Sequence, residues 1–328
     1  METMYPLHAG KAGITKKRGY LCVTAVFFAG LLMLCSKVAV SSLIAFLFGN
    51  VLKGWIFEQW ELVLFEIGFY LLMFLPTSLF LLLFLKCSPV EMYREKPNVP
   101  YLPFLYIPLV LGLLYALNLI VNLTFGGIFE PFEPVPEATD YPTEPLAIFL
   151  EFLYTALLPA IFEEWLFRGI ALRKLLPYGK GLAVVASSLF FGFMHSTPSQ
   201  TIFATAFGLI AGYTYLQTGS LWFGMLIHFV NNCISLGVTY WSFVFEEVSE
   251  SVTLFYGVYV LLAIIFAAIT IGFYISGARK RRKNLLDSSS GFFTRKQSVK
   301  SILLNPMFYL MIVGYVALIW LDYAGGAA

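Results

Sequence analysis

The fold of this chain is decided by one stretch, LAIFLEFLYTALLPAIFEEWLFRGIAL, residues 146–172. It is apolar over the length that a helix needs to cross the hydrocarbon core of a bilayer, about 20 residues. Its second half nevertheless contains Glu163, Glu164 and Arg168. Because charged side chains inside a membrane are costly and mark functional sites, the stretch predicts both a membrane-spanning helix and a site upon it.

The rest of the chain has the composition of a membrane protein. Its 328 residues are 59% hydrophobic and only 12% charged, with a mean hydropathy of +0.80. A typical soluble domain is about 45–50% apolar and about 25% charged. These values exclude a soluble globular protein, a disordered chain and a nucleic-acid-binding domain, and the net charge of +2 gives no reason to expect a nucleic-acid partner.

Further apolar runs predict an all-α, polytopic transmembrane helix bundle. Strands of a β-barrel would instead alternate polar and apolar residues over about ten positions. We predict eight or nine spans, because the fifth and sixth runs are short and could form a hairpin or a partly re-entrant segment. The approximate spans are 19–49, 62–86, 101–123, 146–172, 182–197, 200–217, 221–243, 252–276 and 302–323.

The basic residues predict the orientation of the bundle. With the N-terminus in the cytoplasm, most lysines and arginines fall on the cytoplasmic side, as the positive-inside rule requires. The first apolar run is too long for a cleaved signal peptide and is interpreted as an anchor. We expect a multi-pass protein of the plasma membrane, with the lipid bilayer as its surroundings and no nucleic acid among its partners.

The chain divides into three predicted segments. Residues 1–145 hold N-terminal transmembrane helices and an acidic outer loop, and residues 146–277 form a central helical core. Residues 278–328 hold a basic cytoplasmic loop and a C-terminal helix. The four cysteines have no paired spacing, which predicts neither a disulfide framework nor a metal knuckle.

Polar residues of the central segment lie at a similar depth. Two of the three histidines, His195 and His228, lie in apolar runs, and Asn232 follows His228 by one helical turn. Counted at about 1.5 Å per residue from the cytoplasmic ends of their helices, these side chains reach the level of Glu163. We therefore expect a polar cavity in the inner half of the bilayer, opened by a kink at Pro159.

The three charged residues in the second half of 146–172 divide between two faces of their helix. Glu164 and Arg168 are spaced i, i+4, at which opposite charges pair. Glu163 lies about 100° around the helix from Glu164, so it can face the cavity while Glu164 pairs. Phe191, one turn before His195, is expected to pack against the wall of the cavity.

Three motifs in this segment resemble those of a known family. They are E-E-x-x-x-R at 163–168, F-x-x-x-H at 191–195 and H-x-x-x-N at 228–232. In this order and on separate spans they resemble the CPBP intramembrane proteases. That family includes the endoprotease that trims prenylated CAAX proteins and bacterial members linked to bacteriocin processing and immunity. The resemblance covers roughly residues 145–245.

The resemblance implies a CAAX-protease-like intramembrane endopeptidase that cuts a membrane-associated or lipidated peptide or protein. Such hydrolysis needs an activated water, a base and donors for the oxyanion, and a carboxylate in an apolar cavity is a competent base. The family resemblance implies that Glu163 and His195 hold and deprotonate the water. It assigns His228 and Asn232 to the oxyanion.

The sequence leaves the identity of the base open. Either Glu163 or Glu164 can take this role. If Glu163 is the base, Glu164 is either a supporting residue or a second acid/base group. Arg168 and Phe191 are expected to support the site rather than react.

A metal is the first alternative to this chemistry. Glu163, His195 and His228 could together bind zinc, but no H-E-x-x-H motif is present, and the resemblance implies a reaction without metal. We expect no cofactor.

Two other classes of protein remain as alternatives. A proton-coupled transporter could use paired carboxylates, although no internal repeat supports it. A catalytically inactive membrane scaffold or immunity protein would have no need for the buried acids.

Overall fold

The structure is a computed structural model. It describes residues 15–87, 103–129, 141–195, 197–244 and 291–326, with isolated positions between 257 and 272. All regular structure within these ranges is helical, so the predicted fold class is confirmed. The helices are α1 (Lys16–Val51), α2 (Gln59–Leu85), α3 (Pro103–Phe129), α4 (Pro145–Tyr178), α5 (Lys180–Gly192), α6 (Pro198–Thr218), α7 (Leu221–Val244), α8 (Arg295–Leu303) and α9 (Pro306–Gly326).

Fewer helices than predicted qualify as membrane spans. Among the described residues, five are long and apolar enough: α1, α2, α3, α4 and α7. A sixth is obtained if α8 and α9, which are bent by 45° at their junction, are counted as one. The count of eight or nine is therefore not confirmed.

The difference has identifiable origins. The predicted span 182–197 corresponds to α5, whose 13 residues are too few to cross a bilayer. The predicted span 200–217 corresponds to α6, which is long enough but rich in threonine and glycine. The predicted span 252–276 lies outside the described residues, apart from isolated helical positions.

The ends of α6 illustrate how the sequence sets helix boundaries. Thr197 precedes the helix, and its hydroxyl accepts a hydrogen bond from the backbone of Gln200 at 3.4 Å. Pro198 occupies the first turn, where a missing N–H costs nothing. Gly219 ends the helix with a left-handed φ of 65°, a conformation that suits glycine.

Contacts between helix ends agree with the predicted alternation of sides. At one face, the backbone N–H of Thr143, just before α4, donates to the side chain of Gln59 at the start of α2, at 2.8 Å. At the other, Lys174 of α4 donates to the carbonyl of Lys86 after α2, at 3.2 Å. The two helices thus run parallel, with their first ends together at one face and their last ends together at the other.

One hydrophobic core joins described parts of all three predicted segments. Buried side chains of α1, such as Phe27, belong to the same cluster as Phe190 of α5 and Met311 of α9. Helix α1 packs against α2, α5 and α9. The division into segments stays a prediction, but the N-terminal helices pack directly onto the central one.

Helices α5 and α6 pack closely against each other. A Cβ at Gly208 of α6 would lie 2.9 Å from the Cα of Ser188 in α5. No side chain fits there without moving the backbone, so glycine is required for this approach. The hairpin of α5 and α6 lies against α4 and carries His195 at its turn.

Helix α4 contains two stretches of wider, π-helical turns. They cover Leu153–Leu157 and Trp165–Leu172, on either side of the glutamate pair. Pro159 lies between them and has no N–H to donate to the carbonyl of Thr155, four residues earlier. Wider turns of this kind occur frequently at functional sites.

Candidate active site

The predicted pair of Glu164 and Arg168 forms in the interior. Nη1 of Arg168 lies 2.6 Å from Oε1 of Glu164, and both side chains are 1% exposed. Nη2 of Arg168 donates to the carbonyl of Gly208 at 3.4 Å. The guanidinium also lies over the rings of Phe191, at 4.7 Å, and Phe207, at 5.8 Å. Arg168 is thus held by a carboxylate, a carbonyl and two aromatic faces, which together offset its burial.

Glu164 is enclosed on every side. Its Oε1 accepts from Arg168 and also lies 3.2 Å from Nδ1 of His228. Its Oε2 is buried and has no hydrogen-bond partner among the described residues. This oxygen faces Gly224 of α7, where a Cβ would lie 3.0 Å from it. The glycine gives the carboxylate its space.

His228 lies between the two glutamates. Its Nδ1 faces Glu164, and its Nε2 lies 3.9 Å from Oε2 of Glu163. Because a carboxylate only accepts, the Nδ1 hydrogen donates to Glu164 and Nε2 is the atom turned toward Glu163. The ring also packs against Phe207 at 4.9 Å and Phe191 at 5.9 Å between centroids. This tautomer is fixed by its partner on α4.

Glu163 has a more open environment than Glu164. Its side chain is 15% exposed, whereas that of Glu164 is 1% exposed. The hydroxyl of Tyr70, on α2, donates to Oε1 of Glu163 at 3.4 Å. The ring of Tyr70 is held by an edge contact with Tyr154, at 5.9 Å between centroids. Glu163 therefore keeps access to its surroundings while a second helix orients it.

His195 lies at the turn between α5 and α6. Its Nδ1 donates to the carbonyl of Phe191 at 3.1 Å, which leaves Nε2 as an acceptor in the neutral ring. The Phe191 ring, as predicted, packs against it, with centroids 5.0 Å apart. Since the same ring contacts His228, Phe191 separates the two histidines and fixes their spacing.

Two further helices support this turn. On α6, the hydroxyl of Thr201 donates to the carbonyl of Thr197 at 2.8 Å and lies 3.4 Å from the carbonyl of His195. It also bonds with the hydroxyl of Tyr315 from α9. On α1, Nζ of Lys37 donates to the carbonyl of Met194. The backbone that carries His195 is thus held from both terminal regions of the chain.

Asn232 satisfies the carbonyl that Pro159 leaves without a helical donor. Its Nδ2 donates to the carbonyl of Thr155 at 3.1 Å, and its Oδ1 accepts from Asn231 at 3.2 Å. One amide hydrogen of Asn232 is therefore used for joining α7 to α4. The second remains as a candidate donor to a reacting group.

The three proposed zinc ligands do not come together. Within the described ranges, no group of three or more His, Cys, Asp or Glu side chains is arranged to hold a metal ion. Glu163 contacts Tyr70 and His228, whereas His195 bonds to the backbone of Phe191. This arrangement does not fit a site formed by Glu163, His195 and His228.

Sequence reasoning found part of this cluster. It predicted the ion pair of Glu164 with Arg168 and the approach of α7 to Glu163 through His228. It missed Tyr70 and Lys37, since both precede the motifs and lie in ordinary apolar runs. Only the charge of Lys37 inside a span could have pointed to it.

The fold and the cluster define the class of protein. It is an integral membrane protein in which buried glutamate and histidine side chains lie close together. Residues 145–234 match the model of a family described as type II CAAX prenyl endopeptidase Rce1-like. The matched range contains all three motifs and confirms the resemblance seen in them. No curated protein and no solved structure matches the chain.

Proposed function

We propose that this protein is an intramembrane endopeptidase that hydrolyses a peptide bond in a membrane-associated or lipidated peptide, with Glu163 as the base. One observation supports the assignment. Of the two adjacent glutamates, only Glu163 is partly exposed, and its Oε2 lies 3.9 Å from Nε2 of His228, beyond a direct hydrogen bond. Glu164 is enclosed and paired with Arg168, so it has no room for a substrate water.

The gap between Glu163 and His228 suits the reacting water. The 3.9 Å between Oε2 and Nε2 is longer than a direct hydrogen bond, so a water can join the two atoms. Glu163 takes the proton of this water as it attacks the carbonyl carbon. Tyr70, bonded to the other oxygen of Glu163, keeps the carboxylate turned toward the water.

His228 can then donate a hydrogen bond to the oxyanion. Its Nδ1 hydrogen is committed to Glu164, so Nε2 donates only when the ring carries a second proton. Glu163 is placed to pass the proton taken from water to Nε2, and the imidazolium then returns this proton to the leaving amine as the C–N bond breaks. In this reaction Glu164 orients the imidazole, as the buried aspartate does in serine proteases.

His195 and Asn232 complete the proposed chemistry. After Glu163 has taken one hydrogen of the water and Nε2 of His228 has been protonated, the acceptor nitrogen of His195 can hold the remaining hydrogen, because its other nitrogen is fixed by the Phe191 carbonyl. Asn232 offers its second amide hydrogen to the oxyanion. An amide donor of this kind contributes about 100- to 1,000-fold to the turnover of acyl-transfer enzymes.

The proposed reaction requires no metal. Support comes from the donor set, which does not converge on a common point in the described part of the chain. Elemental analysis of the purified protein tests this, and near-stoichiometric zinc lost together with activity in a chelator would contradict it.

The proposed setting is the plasma membrane with the N-terminus in the cytoplasm. The positive-inside rule supports this orientation, since the loop 278–301 carries the largest cluster of basic residues. A cysteine placed at the N-terminus and labelled in intact cells or inverted vesicles decides the side. Labelling from outside intact cells would contradict this orientation and place the N-terminus on the outer side.

Conversion of Glu163 to Gln tests the function. We expect the purified wild type in nanodiscs to cut a prenylated CAAX-type peptide. Glu163→Gln should lower kcat by about 100- to 10,000-fold, the usual contribution of a general base. The thermal unfolding temperature should stay close to that of the wild type, because the amide keeps the shape of the carboxylate.

Two results would overturn the proposal. Cleavage by Glu163→Gln at the wild-type rate would remove Glu163 from the reaction. Proton-coupled uptake into proteoliposomes that is lost in Glu163→Gln, without any peptide cleavage by the wild type, would favour a transporter. If the natural substrate is not prenylated, it can be identified as a precursor protein that accumulates in cells expressing Glu163→Gln.

A further inference from the structure

Three segments that are far apart in the chain meet at the face where α1 begins and α4 ends. The ring of Phe293, just before α8, packs against Tyr20 of α1, with centroids 5.0 Å apart. The backbone N–H of Phe293 donates to the carbonyl of Tyr178, the last residue of α4, at 2.9 Å. Just after α8, Nδ2 of Asn305 donates to the hydroxyl of Thr24 at 3.0 Å. Contacts before and after α8 therefore fix this helix beside the first turns of α1.

Both α1 and α8 bring exposed cations to this shared face. Three lie in the first turn of α1 and three on α8: Lys16, Lys17, Arg18, Arg295, Lys296 and Lys300. The stretches 15–24 and 291–305 contain no aspartate or glutamate. The dipole at the start of a helix does not stabilise cations either, since it favours negative charge there. This face is therefore strongly positive, and an anionic ligand is favoured on it.

Apolar side chains lie among the cations of α8. Val299 and Leu303, one turn apart, are 49% and 51% exposed. At about 100° per residue, this pair lies between Arg295 on one side and Lys300 on the other. An exposed apolar row flanked by lysine and arginine is typical of a helix that lies in the membrane interface. The ligand that fits this face thus combines a negative charge with an apolar chain.

The neighbouring helix places α8 at the level of lipid headgroups. Helix α9 has 21 residues and is about 32 Å long, which is close to the thickness of the hydrocarbon core. Helix α8 precedes it directly and is bent from it by 45°. It therefore lies where the chain leaves the hydrocarbon, and lipid headgroups are the anions present at that level.

We propose that α8 and the first turn of α1 form a binding site for an anionic phospholipid. The cations of both helices surround its phosphate, to which lysine and arginine donate strong hydrogen bonds. Its acyl chains lie along Val299 and Leu303. The site lies outside residues 145–234, the range that matches the family model, and it does not depend on the proposed hydrolysis.

Native mass spectrometry of the full chain in a neutral detergent tests this site. The protein is titrated with dihexanoyl phosphatidylglycerol and, separately, with phosphatidylcholine that has the same chains. We expect the wild type to bind the anionic lipid more tightly. The double variant Lys296→Gln with Lys300→Gln should weaken its binding by about 25-fold, because each cation near an anionic headgroup contributes about 5-fold, or about 1 kcal/mol.

Matched variants separate a local site from the charge of the whole surface. Lys280→Gln with Lys283→Gln removes the same charge from the basic run of the preceding loop, outside the described residues, and should leave the affinity almost unchanged. Leu303→Ser removes an apolar contact and should weaken both lipids by the same factor. The substituted residues of α8 are exposed, so the thermal unfolding temperature without lipid should stay close to that of the wild type.

Three results would overturn the proposal. Equal affinity for the two lipids would mean that the negative charge is not recognised. Glycerol phosphate, which has no acyl chains, should not bind at the same concentrations, and binding as tight as that of the lipid would show a site for a free phosphate group. An equal loss in the two double variants would show that the cations act together over the surface rather than at a site. None of these measurements involves peptide cleavage, so a failure of the proposed hydrolysis would leave them unchanged.

Discussion

Glu163 and Glu164 are neighbours in the chain, yet they lie in two different regions of the molecule. The region around Glu164 is closed, with Arg168, His228 and Gly224 in contact with its carboxylate. The region around Glu163 is more open: its side chain is 15% exposed, Tyr70 donates to it at 3.4 Å, and Nε2 of His228 lies 3.9 Å away. One helical turn thus places Glu164 in an enclosed ion pair and leaves Glu163 open for the role in hydrolysis that we propose. Each variant below separates these two roles.

The largest expected effect concerns the closed region. Glu164→Leu leaves the Arg168 cation buried without a counter-charge, and we expect a loss of about 3–5 kcal/mol in the free energy of unfolding. The double variant with Arg168→Met should recover most of this loss, because a matched apolar pair replaces the ions. Unfolding by SDS in mixed micelles measures both.

The same pair of variants sharpens the comparison with Glu163. The double variant should remain inactive despite its recovered stability, since His228 has lost the carboxylate that orients it. Full activity of the double variant would show that Glu164 has no part in orienting His228. A single Glu164→Leu as stable as the wild type would refute the importance of the ion pair.

A smaller effect is expected where α7 approaches Glu164. Gly224→Ala places a methyl group 3.0 Å from Oε2 of Glu164, and we expect a loss of about 1–3 kcal/mol in the free energy of unfolding. Gly237→Ala, in the same helix, meets nothing within 4 Å and should gain up to about 1 kcal/mol from helix propensity. An equal change in the free energy of unfolding for both glycine variants would show that α7 does not pack tightly against the Glu164 carboxylate.

The smallest expected effect concerns the open region. Tyr70→Phe removes the hydroxyl that donates to Glu163, and we expect kcat to fall about 3- to 10-fold with KM unchanged. Tyr154→Phe, which alters the neighbouring ring in the same aromatic contact, serves as the matched control. Steady-state kinetics with the prenylated peptide separate kcat from KM. An equal loss in both variants would point to packing rather than to the hydrogen bond.

Much of the closed region could be predicted from sequence because its central contact is local. Glu164 and Arg168 are four residues apart in one helix, and helix geometry alone brings them together. The helical class followed equally directly from long apolar runs. The span count did not, since α5 and α6 are apolar yet too short or too polar to qualify, and no residue pattern shows how far a helix reaches across a bilayer.

The open region depends on contacts that the sequence does not encode locally. Tyr70 meets Glu163 only because α2 packs beside α4, and one tyrosine among 19 carries no motif that marks it. The bond of Asn232 with the Thr155 carbonyl likewise needed the structure. The proline at 159 predicts a freed carbonyl, but not which helix supplies the donor.

The spacing of Glu164 and Arg168 also has a consequence for biosynthesis. Helix α4 enters the membrane before α5, α6 and α7 have been made, so Arg168 cannot yet reach the Gly208 carbonyl or the Phe207 ring. An isolated arginine at the centre of a nascent helix costs about 2.5–3.5 kcal/mol on insertion. Because the counter-ion Glu164 lies one turn earlier in the same helix, the two charges can pair during insertion and the segment has almost no net charge. The ion pair of the folded site thus also lowers the cost of inserting α4 into the membrane.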